Sequence, residues 1–477
     1  MTNEELKDLP LIKVVKEYLD ENIALFSMPG HKYAKSFYGN NIAELLLKGD
    51  ITEVDGVDNL HKPEGVIKES QDKLSNLYKS KKSYFLVNGS TSGNLIMIFA
   101  TFSEGDKVIV ERNCHRSIMN AIVMRKLVPI FVKNIIDEEF KAPVAIDDKD
   151  LDRVIKNNKD AKGIILTYPY YYGIGIGVEE TIKLCKENNL KVLVDSAHGA
   201  HFGFNEKLPK SVQDMGADIT IMSAHKTLPS LTQTAYIHVN DESLIQNVEL
   251  YKGMFLSTSP SYMFMMSLEY SRYFLEYKAQ PKYNRLFNKI NNLKKHIKNL
   301  DYVKIIDRDF FNKYDRSLEL DESRIVLHLS KGLSGHKLLD YLREQRVQAE
   351  MSDEKNVILI PSPFNTDEDF ERLEIALKKC NPEILVSEEK GFYDLELPKV
   401  VMIPCEALTR DKHLVDLDKC SNKISGDTII AYPPGVPLIM MGELIEDRHI
   451  ELMKKYIADG ITLIGVNENK ILVVTKE

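Results

Sequence analysis

A histidine and a lysine stand side by side in SAHKTLPSLTQTA, residues 223–235, directly after the apolar run DITIM. A lysine that is desolvated or close to other cations has a lowered pKa, and its neutral amine forms imines with aldehyde cofactors. Lys226 is therefore a candidate for covalent catalysis at the end of a strand. The alternative is a solvated loop lysine, because lysines are common in this chain.

Asp195 ends a second apolar run, KVLVD, and SAHGAHFGF follows it with His198 and His201. A carboxylate at the end of a buried strand is costly unless it is paired with a cation. Enzymes that use pyridoxal phosphate place an aspartate carboxylate beside the pyridine nitrogen of the cofactor and so keep that nitrogen protonated. Asp195 is predicted to have that role, and the alternative is an aspartate that caps the next turn.

Two further turns that follow apolar runs carry side chains of interest. NGSTSGN, residues 88–94, follows SYFLV and combines small residues with hydroxyl groups at a predicted helix start, a pattern that suits a phosphate group. RNCHRS, residues 112–117, follows KVIVE and places His115 at the next helix start, as a candidate for stacking on a cofactor ring. Helix capping is the alternative for both turns.

From about Ser83 onward, short β-rich runs alternate with longer helical patterns. Such alternation predicts βαβ units and a mostly parallel sheet covered on both faces. Ligands bind outside the carboxyl ends of the strands in sheets of this kind. Four strand ends that carry an anion site, a histidine, a carboxylate and a lysine therefore predict one cofactor site at one edge of the sheet.

The pattern changes three times along the chain, and we expect four parts. Residues 1–50 form an N-terminal segment, and residues 51–270 form a large domain with the cofactor site. A long helical pattern over residues 261–300 leads into a smaller α/β domain, residues 271–385. Residues 386–477 form a C-terminal α+β domain that contains the rigid turn YPPG.

The composition is that of an ordinary globular protein, with 43% hydrophobic and 28% charged residues among 477. The formal net charge of −8 argues against nucleic acid or an anionic membrane as the main partner and leaves a small molecule as the expected ligand. The charged N-terminus lacks the apolar core of a signal peptide, and no apolar run is long enough to span a membrane. Five cysteines without metal-ligand spacing predict no metal site and a reducing, cytoplasmic location.

Several motifs together match one family. In chain order they are SMPGHK (27–32), TEVDGVDNLHKPEGVIKESQ (52–71), VNGSTSGN (87–94), ERNCHRS (111–117), YYGIGIG, VDSAHGAHFGF (194–204), SAHKTLPSLTQTA (223–235) and YPPGVPLIMMGE (432–443). With them the sequence resembles the prokaryotic ornithine/lysine/arginine decarboxylases, which are pyridoxal phosphate enzymes with the aspartate aminotransferase type of fold. The motifs run from near the start of the chain to near its end.

The resemblance implies roles for individual residues. Lys226 is expected to be the Schiff-base lysine, Asp195 the partner of the pyridine nitrogen and His115 the imidazole stacked on the cofactor ring. The implied catalytic residues are Lys226, His225, His115 and Asp195, and the implied cofactor-binding residues are Ser90, Thr91, Ser92, His115, Asp195, His198, Ser223, His225 and Lys226. Lys226 or His225 would protonate the α-carbon. Glu443 would bind the distal cationic end of the substrate, unless it is a surface glutamate.

The implied reaction is decarboxylation of a basic amino acid. The leading substrate is L-arginine, which would give agmatine and CO2 in polyamine biosynthesis, and lysine or ornithine is the alternative. Only some 26 residues precede SMPGHK, which matches the short form of the family. A homodimer or higher homo-oligomer with active sites at the subunit interface is expected. Ser196 and Tyr170 stand where the family commonly has Glu and Thr, which bears on substrate detail more than on reaction class. The alternatives are an aminotransferase or another lyase on the same fold, and a non-catalytic regulator.

Overall fold

The structure is a computed structural model that describes residues 8–38, 41–387, 396–432, 436–458 and 461–475. The described N-terminal part has few regular elements before the first large sheet begins. They are α1 (Pro10–Asp20), β1 (Ala24–Phe26) and α2 (Ile42–Lys48). β1 pairs in parallel with a strand at residues 347–349, so the start of the chain is tied to a region far along the sequence.

The next part of the chain alternates helices and strands, as the sequence predicts. Its elements are α3 (Val66–Tyr78), β2 (Lys82–Leu86), α4 (Gly89–Thr101), β3 (Lys107–Glu111), α5 (Arg116–Arg125), β4 (Val128–Val132), β5 (Asn134–Ile136), β6 (Pro143–Ile146), α6 (Asp148–Asn157), β7 (Gly163–Thr167), β8 (Ile174–Ile176), α7 (Val178–Glu187), β9 (Lys191–Asp195), β10 (Ile219–Met222), α8 (Ala224–Thr227), β11 (Ala235–Val239), α9 (Ile245–Phe255) and α10 (Tyr262–Tyr277). Seven strands form one sheet in the order β2-β11-β10-β9-β7-β3-β4. β11 is antiparallel to both of its neighbours and the other pairs are parallel. The predicted α/β fold class is confirmed.

β9 and β10 lie in the middle of this sheet. Their sequences KVLVD and ITIM are continuous apolar runs, and almost every side chain in them is buried. This is the pattern of parallel strands that are covered by helices on both faces. Asp195 at the end of β9 pairs in register with Ile221 near the end of β10. The two strands therefore deliver Asp195 and the α8 segment to the same edge of the sheet.

A smaller sheet follows two consecutive helices. The elements are α11 (Ala279–His296), β12 (Val303–Ile305), β13 (Leu318–Leu320), β14 (Ile325–Leu329), α12 (Gly335–Glu344), β15 (Val347–Ala349), β16 (Met351–Ser352), β17 (Asn356–Leu359) and α13 (Asp367–Lys379). β12, β14, β17 and β16 form an antiparallel sheet, while β13 joins β8, β6 and β5 in another. The helical pattern over residues 261–300 is thus two helices, which are separated at Lys278, where the backbone (φ −125°, ψ −20°) is not helical.

The last part of the chain packs around a hydrophobic cluster of its own. Its elements are α14 (Pro404–Thr409), β18 (Lys412–Asp416), β19 (Lys423–Ile424), β20 (Ile429–Tyr432), β21 (Val436–Ile439), β22 (Leu444–Ile445), α15 (Asp447–Ala458), β23 (Thr462–Ile464), β24 (Val466–Asn467) and β25 (Lys470–Val474). All strand pairs here are antiparallel. The predicted YPPG turn falls largely on residues 433–435, outside the described residues. The domain limits at residues 50, 270 and 385 stay predictions.

Two further findings concern the described residues alone. None of their helices is both long and apolar enough to cross a membrane. No group of three or more His, Cys, Asp or Glu side chains among them is placed to hold a metal ion.

Candidate active site

A cavity of about 380 Å³ opens at the carboxyl edge of the seven-stranded sheet. The predicted site residues in its wall are Ser90, His115, Asp195, His198 and Lys226. Further wall residues come from the region of the small sheet, with Glu350 and Met351, and from the C-terminal part, with Ile430 and Ile464. One cavity therefore brings together side chains that are far apart in the sequence.

Lys226 lies in the short helix α8, which begins directly after β10 and Ser223. Its Nζ is 3.1 Å from Nε2 of His198. Burial lowers the pKa of Lys226, with Asp195 opposing and Arg324 adding to the shift. A lower pKa increases the neutral fraction of the Lys226 amine, which is the form that attack on an aldehyde requires.

Asp195 ends β9 and turns its carboxylate to the cavity while only 3% of the residue is exposed. Its Oδ2 accepts a hydrogen bond from Asn94 Nδ2 at 2.8 Å, and its Oδ1 accepts one from the Ala197 N–H at 3.1 Å. Both donors are neutral, so they orient the carboxylate without cancelling its charge. A buried, oriented anion of this kind suits a protonated ring nitrogen.

His115 is both a helix cap and a cavity residue. Its Nδ1 accepts a hydrogen bond from the Ser117 N–H at 3.2 Å, which caps α5, and lies 2.7 Å from Ser117 Oγ. Asn94 Nδ2 also donates to Ser117 Oγ, at 2.8 Å. One network thus joins His115, Ser117, Asn94 and Asp195. The capping and the cofactor interpretations of His115 are compatible, because the same contact that caps the helix orients the ring.

The amino end of α4 forms another part of the wall. Ser90 lines the cavity, and Ser223 Oγ donates to Ser90 Oγ at 2.8 Å. Gly89 has a φ of +75°, a conformation that side chains other than glycine's rarely allow. Free N–H groups and the positive end of the helix macrodipole favour a phosphate here. Thr91 is exposed, and Ser92 Oγ donates back to Gly89 O at 2.8 Å, so these two side chains are not in the wall.

Three further predicted residues of the described part of the chain, Ser223, His225 and Glu443, also lie outside the wall of the cavity. His225 turns Nδ1 to the carbonyl oxygen of Thr234, 2.9 Å away, and burial lowers the pKa of His225 to about 4. Glu443 forms a buried ion pair with Arg112 at 2.6 Å and accepts the Met440 N–H at 2.7 Å. Because these contacts with Arg112 and Met440 occupy its buried carboxylate, we assign Glu443 no contact with the substrate.

Sequence reasoning missed the small-sheet side of the cavity. Glu350 lies in the wall and accepts hydrogen bonds from Tyr171 OH at 2.7 Å and from the Met28 N–H at 2.8 Å. Arg324 lies behind the wall and contacts His198. Tyr171 belongs to the motif YYGIGIG, which was a usable signal. Arg324 and Glu350 stand in no motif that marks them.

The SMPGHK segment packs against α8. The Gly30 N–H donates to the carbonyl oxygen of His225 at 2.8 Å. A Cβ atom at Gly30 would lie 2.5 Å from the carbonyl oxygen of Leu228, so only glycine allows this approach. Lys32, which follows shortly, is fully buried and donates to Ser27 O and Ile360 O. The segment therefore joins the lysine-bearing helix to the small sheet.

Cys114 is the cysteine next to His115, and it lines the cavity with only 5% of the residue exposed. Burial raises the pKa of its thiol to about 12. A thiol that stays protonated is a poor nucleophile. This geometry disfavours a cysteine-based lyase reaction.

The family model described as the major domain of Orn/Lys/Arg decarboxylase matches residues 9–315, and the model of the C-terminal domain matches residues 388–459. The chain belongs to the Orn/Lys/Arg decarboxylase family. The enzymes of this family depend on pyridoxal phosphate, so the predicted enzyme class and cofactor are confirmed. The residues present fit that cofactor, since the cavity holds a buried lysine, an oriented carboxylate and the amino end of a helix.

Relatives match this decarboxylase-family chain over nearly its whole length. One is "Uncharacterized protein YaaO" of Bacillus subtilis, 32% identical, with 98% of this chain and 99% of the relative covered. Another is an arginine decarboxylase of Bacillus subtilis, 27% identical, with 97% and 96% covered. Among solved structures, the Francisella novicida lysine decarboxylase LdcF is 19% identical with a TM-score of 0.78, covering 94% of this chain and 78% of that one. That likeness shows the fold.

Proposed function

We propose that the protein decarboxylates L-arginine to agmatine and CO2, in polyamine biosynthesis, with lysine or ornithine as the alternative substrate. The observation that carries the proposal is the match to arginine decarboxylases from several Bacillus species and a related bacterium, which covers nearly all of this chain and of each relative. Family membership alone supports a basic amino acid as substrate.

The charges of the cavity wall support a cationic substrate. Two carboxylates, Asp195 and Glu350, line it. Asp195 is assigned to the ring nitrogen of the cofactor, so Glu350 is the carboxylate that remains to face a substrate. The hydrogen bonds from Tyr171 and Met28 hold Glu350 in place and leave room on its oxygens for a further donor.

The chain's own residues have separable tasks in the reaction. Pyridoxal phosphate, when bound, supplies a pyridinium ring that takes up the electron pair released as CO2 leaves. Asp195 would hold a proton on the ring nitrogen of that cofactor, and His115 would contact its ring. The Ser90 hydroxyl, which accepts a hydrogen bond from Ser223 and so keeps its own proton to donate, would bind the phosphate together with the amino end of α4. Lys226, after its neutral amine accepts a proton from the ammonium group of the substrate, would deliver that proton to the α-carbon, because its amine lies in the cavity while His225 is turned to Thr234.

We also propose that two copies of the chain associate as a homodimer that covers this site. His115 and Arg116 are exposed at the cavity of the single chain, although His115 is assigned to a cofactor ring that needs protection from water. A second copy packed against this mouth would supply the cover.

CO2 release measured with purified protein and pyridoxal phosphate tests the reaction and the substrate. Arginine, lysine, ornithine and a neutral amino acid are presented separately, with Lys226→Ala as the control. Release from arginine that vanishes in the control is the expected result. Release from lysine or ornithine alone would show that the substrate is that amino acid and not arginine. No CO2 release with any of the four, from protein that binds the cofactor, would overturn the proposed reaction.

A further inference from the structure

Arg324 reaches the site from the small-sheet side. It directly precedes β14, and 4% of the residue is exposed. Its guanidinium donates one hydrogen bond to the carbonyl oxygen of Tyr171 and one from Nη2 to Nδ1 of His198, at 3.1 Å. The turn before it is anchored as well, since the Asp321 N–H donates to Gly173 O at 2.8 Å. Arg324 is therefore fixed against the back of His198.

These contacts determine where the ring proton of His198 lies. A guanidinium group donates hydrogen bonds and accepts none. Nδ1 of His198 must therefore be the acceptor, which leaves the proton of the neutral ring on Nε2. That nitrogen is 3.1 Å from Nζ of Lys226. An Nε2–H group donates to a lone pair on Nζ, and the lysine nitrogen has a lone pair only when it is neutral.

We propose that Arg324 is a positioning residue that fixes the Nε2–H tautomer of His198 and thereby holds the free amine of Lys226 in its neutral, nucleophilic form. The neutral ring is supported independently, since burial and the nearby cations hold the pKa of His198 well below its ordinary value. Arg324 touches neither the cavity nor the reacting amine, so it acts through His198.

Other charged groups around Lys226 act in both directions. Asp195 on the large sheet and Glu350 on the small-sheet side favour the ammonium form, whereas the charge of Arg324 opposes it. The charges of His115 and His225 also interact with Lys226, while His31 and Lys32 of the SMPGHK segment interact with His225 and Glu350. The charge of Arg324 and its hydrogen bond to His198 both favour the neutral form of the Lys226 amine. An experiment must therefore separate these two contributions.

Three substitutions separate them. Arg324→Lys keeps the charge and a donor, Arg324→Gln keeps a donor without the charge, and Arg324→Met keeps neither. Arg316→Met is the matched control. It removes an arginine of the same region that donates to Ile146 O and Gly177 O and does not contact His198. The readout is the rate at which the cofactor-free protein takes up pyridoxal phosphate as a coloured adduct, followed from pH 6 to pH 10.

We expect Arg324→Met to raise the apparent pKa of the uptake profile by about one pH unit, which slows uptake about tenfold at neutral pH. Arg324→Lys and Arg316→Met should keep the wild-type profile, whereas Arg324→Gln should shift it by less than Arg324→Met does, since it loses the charge and keeps a donor to His198. An unshifted Arg324→Met profile would overturn the proposal. A shift in Arg324→Gln as large as in Arg324→Met would overturn it too, since the charge alone would then be responsible.

A second measurement needs no stable variant at position 324. The ¹⁵N spectrum of histidine-labelled, cofactor-free wild-type protein, with His198 assigned through His198→Gln, reports which ring nitrogen carries the proton. A proton on Nε2 at neutral pH is expected, and a proton on Nδ1 would exclude the proposed device. Neither measurement uses substrate turnover. Failure to release CO2 from a basic amino acid would therefore remove the proposed substrate and leave this inference standing.

Discussion

The two sides of the cavity differ in how their residues are related along the chain. On the large-sheet side, Asp195 ends the buried strand β9 and Lys226 lies in the short helix after β10, and these neighbouring parallel strands bring both residues to one edge. On the small-sheet side, Arg324 precedes β14 and Glu350 lies between β15 and β16, so both are placed by strands from other parts of the sequence. The difference teaches that an edge of a parallel sheet can be predicted from local patterns, whereas the surface that faces it depends on tertiary packing.

The difference also separates two kinds of role. In the proposed function, the large-sheet residues would hold the cofactor and take part in bond changes, whereas the small-sheet residues would orient those groups and set the charge that the substrate meets. Substitutions on the large-sheet side should therefore act on kcat. Substitutions on the small-sheet side should act on KM or on the ionisation of Lys226.

Replacement of Lys226 is expected to have the largest effect. Lys226→Ala removes the nucleophile and proton donor of the large-sheet side, so kcat should fall at least about a thousandfold. Single-turnover CO2 release measures it, and the yellow colour that borohydride bleaches should disappear as well. Lys252→Ala is a control at a lysine that is also buried but bonds to Leu60 O outside the cavity. Near-normal turnover in Lys226→Ala would remove the assigned chemistry from this side.

Asp195→Asn should have the second largest effect. The amide keeps the shape of the side chain and loses the negative charge that holds a proton on the ring nitrogen, so kcat should fall roughly a hundredfold with the cofactor still bound. Steady-state rates and cofactor absorbance together check both parts. Asp218→Asn is the control, because Asp218 bonds to the Val192 N–H and Lys186 away from the cavity. Equal losses in the two variants would point to a structural cause.

The fold was predictable where burial repeats along the chain. Continuous apolar strands such as β9 and β10 between amphipathic helices specify a parallel sheet, and that prediction is confirmed. The short strands β15 and β16 have only three and two residues, too few to show a period. Their pairing with β1 and β17 is set by tertiary contacts. The break at Lys278 between α10 and α11, by contrast, comes shortly before Pro281 in the first turn of α11, and that proline was a usable signal of a helix start.

The two glutamates show why the site was only partly predictable. Glu443 stands in a family motif and attracted a substrate role, yet Arg112 holds it inside the protein. Glu350 stands in no motif and faces the cavity. A sequence shows that a carboxylate is present, but the presence of a cation beside it depends on packing between distant segments. The environment of Asp195 and Lys226 could be predicted from local patterns because each residue stands at or just after the end of a buried strand.

Glu350→Gln, with Glu443→Gln as its matched control, tests this difference directly. Loss of the negative charge at position 350 should raise KM for arginine about tenfold with a smaller change in kcat, since a charged hydrogen bond to the substrate is weakened. Glu443→Gln should leave KM unchanged and lower the stability by roughly 3 kcal/mol, because Arg112 loses its buried partner. Initial rates and thermal unfolding separate the two. A raised KM in the Glu443 variant would return that residue to the substrate site.

The smallest expected effect concerns the phosphate end of the large-sheet side, where two serines of one motif have different surroundings. Ser90 lines the cavity and accepts a hydrogen bond from Ser223, whereas Ser92 Oγ bonds back to Gly89 O. Ser90→Ala should weaken pyridoxal phosphate about fivefold in Kd, since one hydrogen bond to an anion is lost. Ser92→Ala should leave Kd unchanged. Titration of the cofactor-free protein measures both. Similar affinities in the two variants would mean that backbone N–H groups and the helix end bind the phosphate without help from the Ser90 hydroxyl.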